Sequence, residues 1–220
     1  MRIYLKDLKN NEKVKIYIKK ADDYLGEIGY TEHGFRHVGI TADLAFKILE
    51  KAGFPKREAE LAAIAGWMHD MGNFLGRENH PQNGAILAMK VLEEMGGDMN
   101  EIVAVGGAIA NHEEPSGIAT NPITAAVVLA DKADVHRSRV RNSNPATFDI
   151  HDRVNFAVVK SNIFVDQEKK EISLNLNIDT KICQVIEFFE IFLTRMVMCR
   201  KAASVLDCEF RLEVNKTKLS

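Results

Sequence analysis

Charged and apolar residues interleave through positions 8–28, which predicts one or two helices, and helical character continues to about residue 141. A helix follows Thr31 and runs to about Ala52, where Gly53 is a stop signal. Pro55 suits a first helical turn, and 58–71 is rich in alanine, a strong helix former. Pro81 opens a further helix that ends at Gly96 and Gly97. Asp98, with Glu101 three residues on, resembles a capping box for a helix reaching His112. Asn121 and Pro122 start the last helix of this part, drawn to about Arg141.

The pattern then changes. Positions 142–153, NSNPATFDIHDR, are polar and turn-rich and read as a linker. Alternating, β-branched residues at 154–165 and 172–178 flank the charged turn DQEKK, which predicts a hairpin. An apolar helical run follows at 181–206, and the tail CEFRLEVNKT alternates again as a strand would. The expected fold is mainly α: a helical bundle over 1–141 and a small α+β unit over 142–220, ordered strand, strand, helix, strand.

Composition narrows the class. The 220 residues are 46% hydrophobic and 27% charged, which excludes a fibrous or largely disordered chain. With 29 basic against 31 acidic residues the net charge is −2, so no basic footprint points to stable nucleic-acid binding. Cys183, Cys199 and Cys208 lack the close spacing of a zinc site, which suits a reduced compartment. There is no apolar run of the roughly 20 residues a membrane span needs, and the N-terminus has no signal-peptide core. The expectation is a cytoplasmic protein without a membrane partner.

The candidate chemistry lies in the helical part, which holds His33, His37, His69, His80 and His112. His37 lies within about 40° of Thr41, Leu44 and Ile48 around its helix, so it extends an inward apolar stripe. His69 shares a face with Ala65, Ala62 and Leu61, and His112 stacks above Ala108, Val105 and Ala104. Asp131 continues the stripe of Val127, Val128 and Thr124. Inward imidazoles and carboxylates are costly unless paired or metal-bound, and a shared metal answers several at once. The small residues Ala59, Ala62, Ala63, Ala65 and Gly66 would let neighbouring helices approach and bring such groups together. A His and Asp set without thiolate suits Mn, Fe, Co, Ni or Zn.

These residues resemble a known family. His37, the doublet His69-Asp70, and Asp131 in LADKAD match the H…HD…D pattern of the HD-domain superfamily of metal-dependent phosphohydrolases. His80 in ENHPQNGA is similar to the HPxxGA element of HD-GYP phosphodiesterases and HD-type diadenosine tetraphosphate hydrolases, and His112 in IANHEEPSG resembles their HHE element. The resemblance covers roughly residues 30–140. It implies an HD-type helical core and two divalent transition-metal ions held by His37, His69, Asp70, His80, His112 and Asp131. A hydroxide bridging those ions would hydrolyse a nucleotide or another small phosphate ester. Two departures, Asn73 in HDMGN and Asn111 before His112 with no GYP following, argue against cyclic di-GMP as substrate.

Asp70, as the bridging carboxylate, and Lys132, beside Asp131, are assigned catalytic roles. Arg36, Arg77 and Arg137, with Arg139 and Arg141 further along the same expected helix, are the candidates for phosphate, since guanidinium groups pair bidentately with it. His33 has three open readings: the mouth of the site, a third ion, or a helix cap. Asp134 is read as a supporting or surface acid. Asn111, Glu113 and Glu114 are read as hydrogen-bonding neighbours or a solvated loop. The apolar run FFEIFLTRMVMC reads as core of the appended sheet or as a contact within a homo-oligomer. Two competing functions remain: a di-iron oxygenase of the HD type, and a metal-containing sensor or scaffold without catalysis.

Overall fold

The computed structural model describes residues 1–219. The interleaved N-terminal stretch forms two helices, α1 (Leu5–Lys9) and α2 (Glu12–Glu27), because Asn11 interrupts it and caps α2 by accepting from the Lys13 and Val14 N–H groups. Next come α3 (Phe35–Lys51) and the alanine-rich α4 (Lys56–Met68). A 3₁₀ turn, Met71–Leu75, leads to α5 (His80–Glu94), α6 (Met99–Ala110) and α7 (Pro122–Ala133). Helix α4 is central and packs on α3, α6 and α7. Its small residues do bring α3 close: a Cβ on Gly66 would stand 3.1 Å from backbone atoms of Thr41 and Ala42.

Two boundaries and one cap differ from expectation, each because a side chain is used elsewhere. Helix α3 begins at Phe35 rather than just after Thr31. The segment before it is extended because Asp22 accepts from the His33 N–H, Glu32 Oε1 accepts from the Gly34 N–H, and the Glu32 N–H donates to Arg139 O. Helix α7 stops at Ala133, eight residues short of Arg141, as Asp134 leaves helical geometry (φ −84, ψ 68) and Arg139 donates to its carbonyl. Asp98 caps α6 through the Asn100 and Glu101 N–H groups, but the expected return bond is absent. The Glu101 carboxylate instead pairs with Arg57 at 2.5 and 2.7 Å.

The linker reading of 142–153 is corrected in part. A helix, α8 (Ile150–Ala157), capped by Asp149, occupies its end and what was read as the first strand's beginning. Strands β1 (Val158–Asp166) and β2 (Glu171–Ile178) form the expected antiparallel hairpin. Helix α9 (Val185–Val205) then crosses over to β3 (Glu209–Val214), which runs parallel to β2, with Ile172 opposite Phe210 and Leu174 opposite Leu212. A parallel neighbour needs such a crossover. A short β4 (Thr217–Lys218), not expected, completes the order β1-β2-β3-β4.

Helix α9 packs on β3 and also on α7, so one apolar core runs through bundle and sheet. The fold is therefore mainly α with a C-terminal α+β appendage. No helix among the described residues is long and apolar enough to cross a membrane.

Candidate metal centre and its cleft

The six expected ligands come from five segments and meet in the core. His37 lies in the first turn of α3, His69 follows the last turn of α4, and Asp70 comes next. His80 opens α5, His112 follows α6, and Asp131 lies in the last turn of α7. His37 Nε2 is 3.3 Å from His69 Nε2, 3.2 Å from Asp131 Oδ1 and 3.5 Å from Asp70 Oδ2. His69 Nε2 lies 3.2 Å from Asp70 Oδ2. On the other side of Asp70, Oδ1 is 3.5 Å from His80 Nε2, which is 3.2 Å from His112 Nε2. The His69 and His112 rings, 4.8 Å apart, join the two clusters. Ligand atoms about 2.0–2.2 Å from one ion lie roughly 3–3.5 Å from each other, so these separations have the span of coordination shells.

Two features test whether ions fit. Asp70 Oδ2 is buried without a hydrogen-bond partner among the described residues, an expensive state for a carboxylate oxygen. The Nδ1 atoms of His80 and His112 donate to Arg77 O and Ile109 O, at 2.8 and 2.6 Å. That tautomer leaves both Nε2 atoms as acceptors 3.2 Å apart, and while Arg77 Nη1 can donate to His80 Nε2, His112 Nε2 has no donor among the described residues. A cation between them removes the conflict. The donor set fits a divalent transition metal in both clusters.

At Asp70, Asp131 and His112 the charge states agree with that reading, whereas His37 must give up a proton to ligate. Burial opposes ionisation of Asp70, but the neighbouring imidazoles of His69 and His37 hold it well below the usual carboxylate range. Burial likewise opposes the Asp131 charge, and Lys132, then His37 and His69, hold it low. Burial, then His69 and His80, push His112 down to about 3, so it is neutral and ready to ligate. In His37, burial and Arg139 disfavour the charge, but the adjacent carboxylates of Asp131, Asp134 and Asp70 outweigh them and lift it to about 10.

A second layer holds the ligands. Asp134 Oδ2 accepts from His37 Nδ1 at 2.7 Å and is itself clamped by Arg36, whose terminal nitrogens lie 2.8 and 3.2 Å from its two oxygens. Arg36 also donates to Glu32. Its guanidinium is thus used in fixing Asp134, contrary to its expected role on phosphate. Asn73 donates to Asp70 Oδ1, and Gly66 O accepts from His69 Nδ1. Lys132 is 1% exposed and lies 2.8 Å from Asp131 Oδ2, 2.8 Å from Glu113 Oε2 and 2.9 Å from Glu114 Oε2. With three carboxylates around three donors, it is placed to hold Asp131 rather than to reach a substrate.

A cleft of about 290 Å³ opens beside the centre, and α8 and α9 build one wall of it. His33 and Arg77 line it. His33 is on the loop before α3, not on the helix, yet its ring still meets His37 at 5.4 Å. Arg77 lies 3.1 Å from His80 Nε2 and donates to Glu113 at 2.6 Å. Arg137 is not brought here: with α7 ended, its guanidinium lies over Phe156 at 5.2 Å. Sequence reasoning missed the cleft's other wall, including Asp152, Asn155, Phe192 and Arg195, because nothing in a linker and an apolar helix signals proximity to residues 30–80. It also left the roles of Glu113, Glu114 and Asp134 open. Their exposure and partners follow only from tertiary packing.

The family model described as HD domain matches residues 34–137, the segment that carries all six expected ligands. The chain is similar to an uncharacterized protein of Methanocaldococcus jannaschii, 27% identical over 208 residues, which covers 82% of this chain and 79% of that one. It is also similar to a solved structure described as a predicted HD superfamily hydrolase from an uncultured Thermotogales bacterium, at 21% identity and a TM-score of 0.44, over 61% of this chain and 75% of that one.

Proposed function

We propose that the protein is a phosphohydrolase that uses two divalent transition-metal ions, with Asp70 between them, on a nucleotide or another small phosphate ester. The HD domain and the buried His and Asp clusters support the coarser reading, a metal-dependent hydrolase. The observation that carries the finer one is the division of Asp70: Oδ2 faces His37 and His69, and Oδ1 faces His80. One carboxylate with imidazoles on both sides suits two ions about 3.5–4 Å apart. Such ions, when bound, acidify water and neutralise charge developing on phosphoryl oxygens.

The remaining work falls to this chain's own groups. Asp134 and three backbone carbonyls hold the Nδ1 atoms and aim the Nε2 atoms inward. Lys132 acts through Asp131, whose second oxygen it binds. Arg77, at the cleft and beside His80, is placed to meet a phosphate oxygen. The test is metal analysis of anaerobically purified protein, then a phosphate-release screen over nucleotides, dinucleotides and sugar phosphates. Asp70→Asn should lower turnover at least ~10³-fold with the fold intact. Near-normal turnover by that variant, or no phosphate released from any ester by the metal-loaded protein, overturns the proposal.

A further inference from the structure

The cleft holds arginines beyond Arg77. Three guanidinium groups line it, those of Arg77, Arg139 and Arg195. Arg77 is engaged with Glu113 and His80. Arg139 is 4% exposed; its Nε and Nη1 donate to Glu32 O and Asp134 O, while Nη2 is buried without a partner among the described residues. A buried guanidinium nitrogen with no acceptor is costly and ordinarily answered by water or a ligand. Arg195, from α9, donates through Nε to Glu114 at 3.0 Å and lies over Phe192 at 4.6 Å. Its two terminal nitrogens have no acceptor among the described residues, so the pair suited to a bidentate anion contact is spare.

Two acids, Asp149 and Asp152, share the lining. Asp149 caps α8 by accepting from the Asp152 N–H, and Asp152 accepts from Asn142. Their partners are neutral, so both carboxylates keep their charge, and an anion here would be met by the spare guanidinium nitrogens rather than by a net positive charge. Arg139 and Arg195 lie outside the matched residues 34–137. The size of the cleft sets a limit as well. About 290 Å³ is at the small end of ligand sites, room for one compact molecule and not for an extended chain.

We infer that Arg195 and Arg139 form an anion subsite in this cleft, and that the substrate is a compact phosphate ester carrying a second anionic group, a carboxylate or another phosphate. The inference rests on the hydrolase reading for the word substrate, but the anion subsite stands or falls separately. Its first test uses metal-stripped, full-length protein titrated calorimetrically with inorganic phosphate. Wild type should bind, and Arg195→Gln should weaken binding about tenfold or more, as loss of a charge-assisted contact does. Arg200→Gln removes the same charge from an exposed position on α9 outside the cleft and should change little. Absence of phosphate binding, or equal loss in both variants, overturns the subsite.

The second test compares kcat/KM, at matched metal content, for glycerol phosphate, phosphoglycerate and glycerol bisphosphate. One or both doubly anionic esters should be preferred about tenfold or more, the larger gain showing whether carboxylate or phosphate is the second group. Arg195→Gln should flatten the preference. If neither these esters nor any in the wider phosphate-release screen turns over while phosphate binding still depends on Arg195, the hydrolase reading fails and the anion subsite stands; if only singly anionic esters turn over, the second-anion inference fails. If all three turn over equally, the second-anion inference fails and the hydrolase reading stands.

Discussion

Gly72 offers a test of how the second half of the metal centre is positioned. It lies in the 3₁₀ turn between Asp70 and His80, and α5 begins against it. A Cβ there would stand 2.2 Å from His80 O and 2.4 Å from Gly84 N, both backbone atoms, where ordinary contact begins at 3.4 Å. In Gly72→Ala the first turn of α5 must therefore retreat by roughly 1 Å, and His80 with it. Metal–ligand distances tolerate only about ±0.2 Å, so the displaced His80 no longer fits the shell it shares with His112 and Asp70 Oδ1. The clash itself should cost about 1–3 kcal/mol, as overpacked cores do. At this chain length that lowers the melting temperature by about 2–12 °C. His37, His69 and Asp131 lie on other segments and should keep their ion. Metal content by mass spectrometry and thermal unfolding by circular dichroism read the two effects together. The expected result is a folded protein with about one ion where wild type holds about two. An alanine variant with wild-type metal content and melting temperature would refute the reasoning, since no backbone shift would have occurred.

Replacing His80 and His112 together with Ala should also lower bound metal from about two ions to about one, because both remove the same shell; an unchanged count would make them ordinary core residues. Metal affinity should rise with pH below about 10, by up to about tenfold per unit, because the ion must displace the proton that Asp131, Asp134 and Asp70 hold on His37. Equal affinities at pH 7 and pH 8 would contradict that proton's presence. Gly107→Ala, in α6 where an added Cβ meets nothing within 4 Å, should stabilise the protein by about 0.5–1 kcal/mol, seen as a higher denaturant midpoint with metal content unchanged.

The helical stripes were legible because a buried polar residue on an apolar face stands out against its neighbours. His37 on α3 and Asp131 on α7 showed this, and the order of the six ligand-type residues carried the family resemblance. The hairpin and the crossover helix were legible from the change of period at 154–206. What the sequence did not show is who holds the ligands. Arg36 and Arg137 looked equally able to meet phosphate, yet one is committed to Asp134 and Glu32 and the other was carried away when α7 ended early. The end of α7 depends on Arg139 capturing the Asp134 carbonyl, a contact no local pattern encodes. The cleft wall was hidden for a similar reason: Arg195 reaches Glu114 across 81 positions of chain, and only the packing of α9 on α7 brings them together.

That contact continues inward. Arg195 holds Glu114, Glu114 faces Lys132, and Lys132 holds the oxygen of Asp131 that points away from the imidazoles. Charge alternates at every link, so a cation gained or lost at one end alters what the other end is worth. Thermodynamic coupling of this kind is reciprocal. Whatever the seating of α9 contributes to ion affinity, ion binding returns to the seating of α9. Amide hydrogen exchange in α9 should therefore slow when metal is added, although every ligand lies more than fifty residues earlier in the chain.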